Sequence, residues 1–293
     1  MSGVLRPWLL AARPPTLWAA VAPVLVGSGL AWGQGAFRAD VFVVTLATAV
    51  LINVGANFAN DASDARRGAD GPGRIGPTRA VAAGLIPARR MWAGVAVVFG
   101  LAAMGGVYLT VIAGWPILVI GAACLVAAVG YTGGPFPYGY RALGEIAVFA
   151  FFGMVGTVGA RFVYDGTAPA AAWLLALPVG MLVTAILVVN NVRDIETDRA
   201  AGKRTLAVLL GGNGARLLFA GLVWGAFAAL VAEAAVGAVP RLSALGLLAA
   251  PLFWPVVSTV RRQTAGPALI GALRATARLH ALAGALIALG AAL

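Results

Sequence analysis

The chain has one cysteine, one histidine and ten acidic residues in a length of 293. A single cysteine, Cys124, excludes any disulfide within the chain, and its place inside an apolar run marks it as a packing residue. A lone histidine, His280, offers neither a metal cluster nor a catalytic triad, so it is read as a packed or interfacial side chain. Charge is scarce as well: 11% of residues are charged and 61% are hydrophobic, with mean hydropathy +0.93. An ordinary soluble domain is about a quarter charged and about half apolar. That balance excludes a soluble protein. No linker or low-complexity tract divides the chain, which is read as a single domain over residues 1–293.

What is present instead is a series of apolar runs. Crossing a hydrocarbon core of ~30 Å takes about 20 helical residues. Runs near 16–34, 40–60, 91–112, 115–131, 143–164, 170–190, 214–236, 241–260 and 276–293 predict an all-α polytopic membrane protein of nine spans. The stretch before them, around Trp8, reads as an interfacial helix and not as a removable signal. Lys and Arg are retained on the cytoplasmic side of a membrane. With nine spans, all 21 basic residues except Arg38, Arg161 and Arg241 lie on or border the side of the N-terminus. The expected orientation therefore has a cytoplasmic N-terminus and a C-terminus on the opposite side. The same topology accounts for the net charge of +11 without nucleic acid, leaving the lipid bilayer as the partner of the basic loops.

The few acids are concentrated. Six of the ten, Asp61, Asp64, Asp70, Asp194, Glu196 and Asp198, fall in two short windows at the ends of the second and sixth apolar runs. Carboxylates near a bilayer are costly and require a cationic partner. Helical spacing puts Asn57, Asp61 and Asp64 along one face, and Asn190, Asp194 and Asp198 along another. Both windows lie on the cytoplasmic side of the expected topology. The echo between them suggests two pseudo-repeated halves, about 16–140 and 141–260, followed by a final helix at about 276–293.

Oxygen-only faces of this kind suit Mg²⁺, which takes one or two carboxylates together with waters and substrate phosphate oxygens. Two faces fit two ions bridging one diphosphate. Cations follow each window: Arg66, Arg67, Arg74 and Arg79 after the first, Arg193, Lys203 and Arg204 within or after the second. Guanidinium grips phosphate in a fork and Lys acts as a point charge. Neutralising a leaving diphosphate promotes scission of its C–O bond, and an allylic cation so formed is sheltered by aromatic and apolar walls. Tyr131, Tyr138, Phe149, Phe151, Phe152 and Phe162 are candidates for those walls. Asp70 and Glu145 are candidates to assist a ring hydroxyl.

Three blocks carry a resemblance. Ala56–Asp70 (ANFANDASDARRGAD), Tyr131–Tyr140 (YTGGPFPYGY) and Asn190–Ala207 (NNVRDIETDRAAGKRTLA), preceded by Ala12–Gly27, are similar to the UbiA superfamily of intramembrane aromatic prenyltransferases, and within it to the menaquinone branch. The resemblance implies a nine-helix bundle around a central cavity beneath cytoplasmic cap loops, in a bacterial plasma or inner membrane. It implies two Mg²⁺ ions and transfer of a polyprenyl group from its diphosphate to 1,4-dihydroxy-2-naphthoate, with loss of the carboxylate, giving a demethylmenaquinone. Carried over by position, Asn57, Asp61 and Asp64 would serve one ion and Asn190, Asp194 and Asp198 the other, while Lys203, Arg67 and Arg193 would meet the diphosphate. Asp61, Asp64, Asp194, Asp198 and Lys203 are thus the expected catalytic set, Asn57 is expected at the diphosphate as well, and of the aromatic candidates Tyr131, Tyr138 and Phe149 are the expected prenyl or aromatic contacts. Ala62 and Ser63 depart from the branch, which usually has bulkier residues there, and predict altered packing or prenyl access. The blocks specify the diphosphate end better than the acceptor, so 4-hydroxybenzoate, homogentisate or a chlorin remain alternative acceptors. A cation-coupled transporter is the alternative outside the enzyme class; it leaves unexplained why both acidic windows close at one membrane face with arginines behind them.

Overall fold

The apolar runs fold as helices whose limits are set by proline at the start and glycine at the end. The computed structural model describes residues 5–70, 76–263 and 266–293. A short helix α1 (Leu5–Ala12) leads through a left-handed Arg13 (φ 52°) and a 3₁₀ turn at Pro14–Thr16 into α2 (Trp18–Gly33), with a bend of 51°. Then come α3 (Ala39–Arg66), α4 (Ala88–Ala113) and α5 (Trp115–Gly130). Helix α6 (Gly144–Phe162) is interrupted by a π-helical segment, Phe149–Val155. Helices α7 (Ala170–Ala200) and α8 (Leu206–Ala235) follow, the second broken at Gly211, and α9 (Arg241–Arg262) starts as a 3₁₀ helix before α10 (Gly266–Ala292) closes the chain. Pro87 and Pro169 stand immediately before α4 and α7, and the Thr205 hydroxyl accepts from the Val208 amide to cap α8.

Among the described residues, seven helices are long and apolar enough to cross a membrane, and α1 with α2 makes an eighth if the bent pair is one span. Helix α5, at 16 residues, is about 24 Å long against a core of ~30 Å, so it falls short of the ninth span that the sequence predicts. The two motif-bearing helices instead run longer than their apolar portions: α3 has 28 residues and α7 has 31. At 1.5 Å per residue, Asp61 and Asp64 lie about 33 and 38 Å along α3, and Asp194 and Asp198 about 36 and 42 Å along α7. The acids therefore ride past the hydrocarbon thickness on continuous helix. Both helices end in the same way. Gly68 (φ 71°) and Gly202 (φ 72°) take the left-handed conformation four residues beyond Asp64 and Asp198. The Ala69 amide then returns to the Asp64 carbonyl at 3.0 Å, and the Lys203 amide to the Asp198 carbonyl at 2.8 Å.

Helix α7 is the most buried span and packs against α8, α6 and α10. The largest core cluster joins Val188 and Val192 of α7, Phe219 and Val223 of α8, Val257 of α9 and Leu279 of α10. In lipid, helices associate through close packing, which small residues permit. A Cβ on Gly29 of α2 would stand 2.3 Å from the Ala288 carbonyl oxygen of α10, so the two backbones meet there. His280 is fully buried on α10, and Cys124 on α5 lines the cavity described next.

Candidate active site

The C-terminal ends of α3 and α7 meet. Lys203, just beyond α7, reaches across with its Nζ 3.4 Å from Asp64 Oδ2 on α3 and 3.9 Å from Asp198 Oδ1 on α7. Beneath this junction is a cavity of about 380 Å³. Asn57, Asn60, Asp64, Asn190, Asp194, Asp198, Arg79 and Lys203 line it near the helix ends. Away from those ends the lining turns apolar, with Ile52 of α3, Ile186 of α7, Ile117 and Ile120 of α5, and Phe151 and Phe152 of α6. On α3 the lining runs from Thr45 to Asp64, about 28 Å of helix axis. A charged head and a long apolar body would thus be accommodated in one continuous space.

Asp64 is the hub. Its Oδ1 accepts from the Tyr140 hydroxyl at 2.8 Å, and its Oδ2 accepts from Arg79 Nη2 at 3.2 Å as well as from Lys203. The Tyr140 ring also carries the Lys203 ammonium 4.7 Å from its centroid, and its backbone carbonyl accepts from the Arg204 amide at 3.0 Å. Burial, with the Asp64 charge beside it, pushes the Tyr140 phenol above its ordinary pKa, so it stays protonated and donates. Asp194 is held differently, by Nε and Nη2 of its own neighbour Arg193, whose Nη2 also donates to Asn190 Oδ1 at 2.9 Å. On α3, Asn60 Oδ1 accepts from the Thr132 hydroxyl at 2.9 Å. Asn57 Nδ2 donates to the Ala12 carbonyl and so ties the α1–α2 turn to α3.

Several expected residues are placed elsewhere. Asp61 is not among the cavity-lining residues. Its two oxygens accept from the backbone amides of Ala80 (2.9 Å) and Val81 (3.0 Å). Helical geometry gives the reason: Asp61 lies about 60° around the helix from Asp64 and about 100° from Asn60. The cavity takes the Asn60–Asp64 pair, spaced four apart like Asn190–Asp194. Arg67 is committed to the backbone carbonyls of Thr132 (3.1 Å) and Gly134 (2.7 Å), and Arg193 to Asp194 and Asn190. Tyr131 and Tyr138 line the cavity, in edge contact with ring centroids 5.4 Å apart. Burial raises both phenols, Tyr138 to about 12. Phe149 does not line the cavity; its ring lies against Gly180 of α7, while Phe151 and Phe152 face the space. Glu145 accepts from Asn191 Nδ2 at 2.9 Å, and Asp70 accepts from Arg79 Nε at 3.2 Å. Arg74 lies outside the described residues. Asn60, Thr132 and Tyr140 are the site residues that sequence reasoning passed over; the Asn-x-x-x-Asp spacing shared with α7 was the signal for the first.

Among the described residues no three His, Cys, Asp or Glu side chains cluster closely enough to hold a metal ion by themselves. The donor set is instead carboxamide and carboxylate oxygen distributed over two helix ends around an open cavity. That suits Mg²⁺, which completes its shell with waters and phosphate oxygens, and does not suit a softer metal.

The model of the UbiA prenyltransferase family matches residues 20–291. The chain is 37% identical to the 1,4-dihydroxy-2-naphthoate octaprenyltransferase of Escherichia coli K12 over 289 residues, covering 97% of this chain and 94% of that one. It is 39% identical to the protein of the same description from Mycobacterium tuberculosis H37Rv over 270 residues, covering 92% and 91%. In fold it resembles the apo structure of a UbiA homolog from Aeropyrum pernix K1, with TM-score 0.71 and 18% identity over 93% of this chain and 96% of that one. It also resembles a UbiA homolog from Archaeoglobus fulgidus bound to DMAPP and Mg²⁺, with TM-score 0.66 and 16% identity over 96% and 98%.

Proposed function

The chain belongs to the UbiA prenyltransferase family, and from that premise we propose that it transfers a polyprenyl group from its diphosphate to 1,4-dihydroxy-2-naphthoate. It is a multi-helix membrane prenyltransferase. The observation that carries the reading is the junction itself. Lys203 and Arg79 stand over carboxylates at the charged end of a cavity whose body is apolar, the arrangement that a diphosphate joined to a hydrocarbon chain requires.

The donor set fits Mg²⁺, with Asn60 and Asp64 of α3 and Asn190, Asp194 and Asp198 of α7 as the residues that would hold it, one ion to each helix end, and Asn57 beside the first. When bound, the metal supplies positive charge against the departing diphosphate. The chain's own residues do the rest. Lys203 and Arg79 donate to diphosphate oxygens as the prenyl C–O bond breaks and its electron pair leaves with the phosphate. Tyr140 holds Asp64 in place throughout. Phe151, Phe152 and the aliphatic wall exclude water from the allylic cation and offer it ring faces. The acceptor carbon bearing the carboxylate forms the new C–C bond, and carbon dioxide departs, leaving its electron pair to restore the aromatic ring.

The nine-span arrangement follows if α5 and the bent α1–α2 pair both cross a bilayer, with the two halves contributing one acidic helix end each. The distribution of Lys and Arg supports a cytoplasmic site and N-terminus in a bacterial plasma membrane, with the C-terminus outside. The deciding experiment incubates membranes containing the protein with geranylgeranyl diphosphate, Mg²⁺ and a panel of aromatic acids, and weighs the products. The expected product comes from dihydroxynaphthoate alone and is lighter than simple addition by one carbon dioxide. A product from 4-hydroxybenzoate with its carboxylate retained overturns the acceptor assignment.

A further inference from the structure

Asp61 is the most deeply buried acid at the helix ends, 1% exposed, yet it takes no part in the cavity. Both of its oxygens are used. Oδ2 accepts from the Ala80 amide and Oδ1 from the Val81 amide, so the carboxylate grips two consecutive peptide groups of the 76–86 segment. The segment folds back at this point: the Leu85 and Ile86 amides both return to the Ala80 carbonyl, at 2.9 and 3.1 Å. Ala80, fully buried, sits in one cluster with Ala59 and Ala62 of α3 and with Met91 of α4. The alanines at 59, 62 and 80 leave room for backbone to lie directly on the helix. The small residue at 62, where a bulkier one was expected, thus has a structural use.

The residue immediately before this grip is Arg79. Its Nη2 donates to Asp64 and its Nε to Asp70, while Nη1 is buried without a partner. A guanidinium held by two of its three nitrogens, on a residue that lines the cavity and with the third nitrogen unspent, is set for an anion. We infer that Asp61 is a positioning residue: it docks the 76–86 segment onto α3 and thereby sets Arg79 over Asp64, and it does not ligate metal. Both donors to Asp61 are backbone amides of a docked segment, so turning this carboxylate toward the cavity would undock the segment, whereas Asp64 and Asp194 are held by side chains.

Only the substrate arm of the test rests on the diphosphate reading; the backbone arm does not. Amide exchange of the 76–86 peptide is measured in EDTA, without substrate, for the wild type, Asp61→Asn and Val81→Pro. The proline removes one donor while leaving Asp61 intact. Both variants are expected to lose at least tenfold protection in that peptide, and to raise KM for the prenyl diphosphate about tenfold. Half-saturation by Mg²⁺ should stay within twofold of wild type. Loop protection unchanged in Asp61→Asn, or Mg²⁺ half-saturation raised tenfold with the loop still protected, overturns the inference. If Asp61→Asn is poorly inserted, Val81→Pro decides alone, because wild-type exchange and KM in that variant contradict the docking role. Loss of protection without any prenyl transfer in the wild type would instead count against the function and leave the docking role standing.

Discussion

The ends of α3 and α7 carry the same Asn-x-x-x-Asp spacing and close with the same glycine turn, but they hold their acids by opposite means. Asp194 and Asn190 are both bound by Arg193, one residue from the first and three from the second, so the α7 end is organised within a single helical turn. Asp64 is bound by Arg79, Tyr140 and Lys203, each from a different segment distant in sequence. One end is preassembled and the other is built by the fold around it. The first should fail through stability, and the second through function.

The largest expected effect is on stability at the α7 end. Arg193→Ala leaves Asp194 buried and uncompensated, and should cost about 3–5 kcal/mol, read as a large fall in the melting temperature of detergent-purified protein. Lys203→Ala should do the reverse: a shift of a few degrees at most, with kcat/KM for the prenyl diphosphate down about 100-fold, or ~2.7 kcal/mol. Equal melting shifts in the two variants would erase the distinction. Tyr140→Phe removes one hydrogen bond to Asp64 and keeps the ring beneath Lys203. A five- to tenfold loss of kcat/KM, about 1 kcal/mol, is expected with no change in expression. The smallest effect is Arg67→Ala. It loses two bonds to backbone carbonyls at an exposed position, worth about 1 kcal/mol of stability, and KM for the diphosphate should remain at the wild-type value. A tenfold rise in that KM would return Arg67 to the diphosphate contacts and blur the contrast between structural and substrate-facing cations.

Much of this was legible in the residues. The apolar runs located the helices to within a few residues except where less apolar sequence is helical: α3 and α7 continue about six and ten residues past their runs, and α8 and α10 begin about eight and ten residues before theirs. Asp64, Asp194, Asp198 and Lys203, expected together from the sequence, line one end of a single cavity. What periodicity alone left undetermined was the register of the first motif. Asn57–Asp61 and Asn60–Asp64 both satisfy a spacing of four, and the 76–86 segment, packed on one side of α3, takes Asp61 while Asp64 lines the cavity with Asn57 and Asn60. Of the six aromatic candidates, Tyr131, Tyr138, Phe151 and Phe152 line the cavity, and Phe149 and Phe162 do not. The π-helical segment breaks the 3.6-residue period within α6, so Phe149 turns to Gly180 and Phe151 and Phe152 take the cavity. Tyr140 carried no periodic signal, since its role arises from a turn folded against two helix ends at once.

The bridge from Lys203 to Asp64 has a consequence for turnover. On the proposed function, a diphosphate entering this site would find Lys203 and the Nη2 of Arg79 already engaged by Asp64, so binding would exchange one set of ionic partners for another. The net affinity is a difference between two similar sums. The same exchange would run backward once the prenyl chain had been transferred: the carboxylate would reclaim its lysine and arginine as free pyrophosphate departed. An enzyme whose by-product carries the very group that its substrate was recognised by thereby has a built-in means of letting it go.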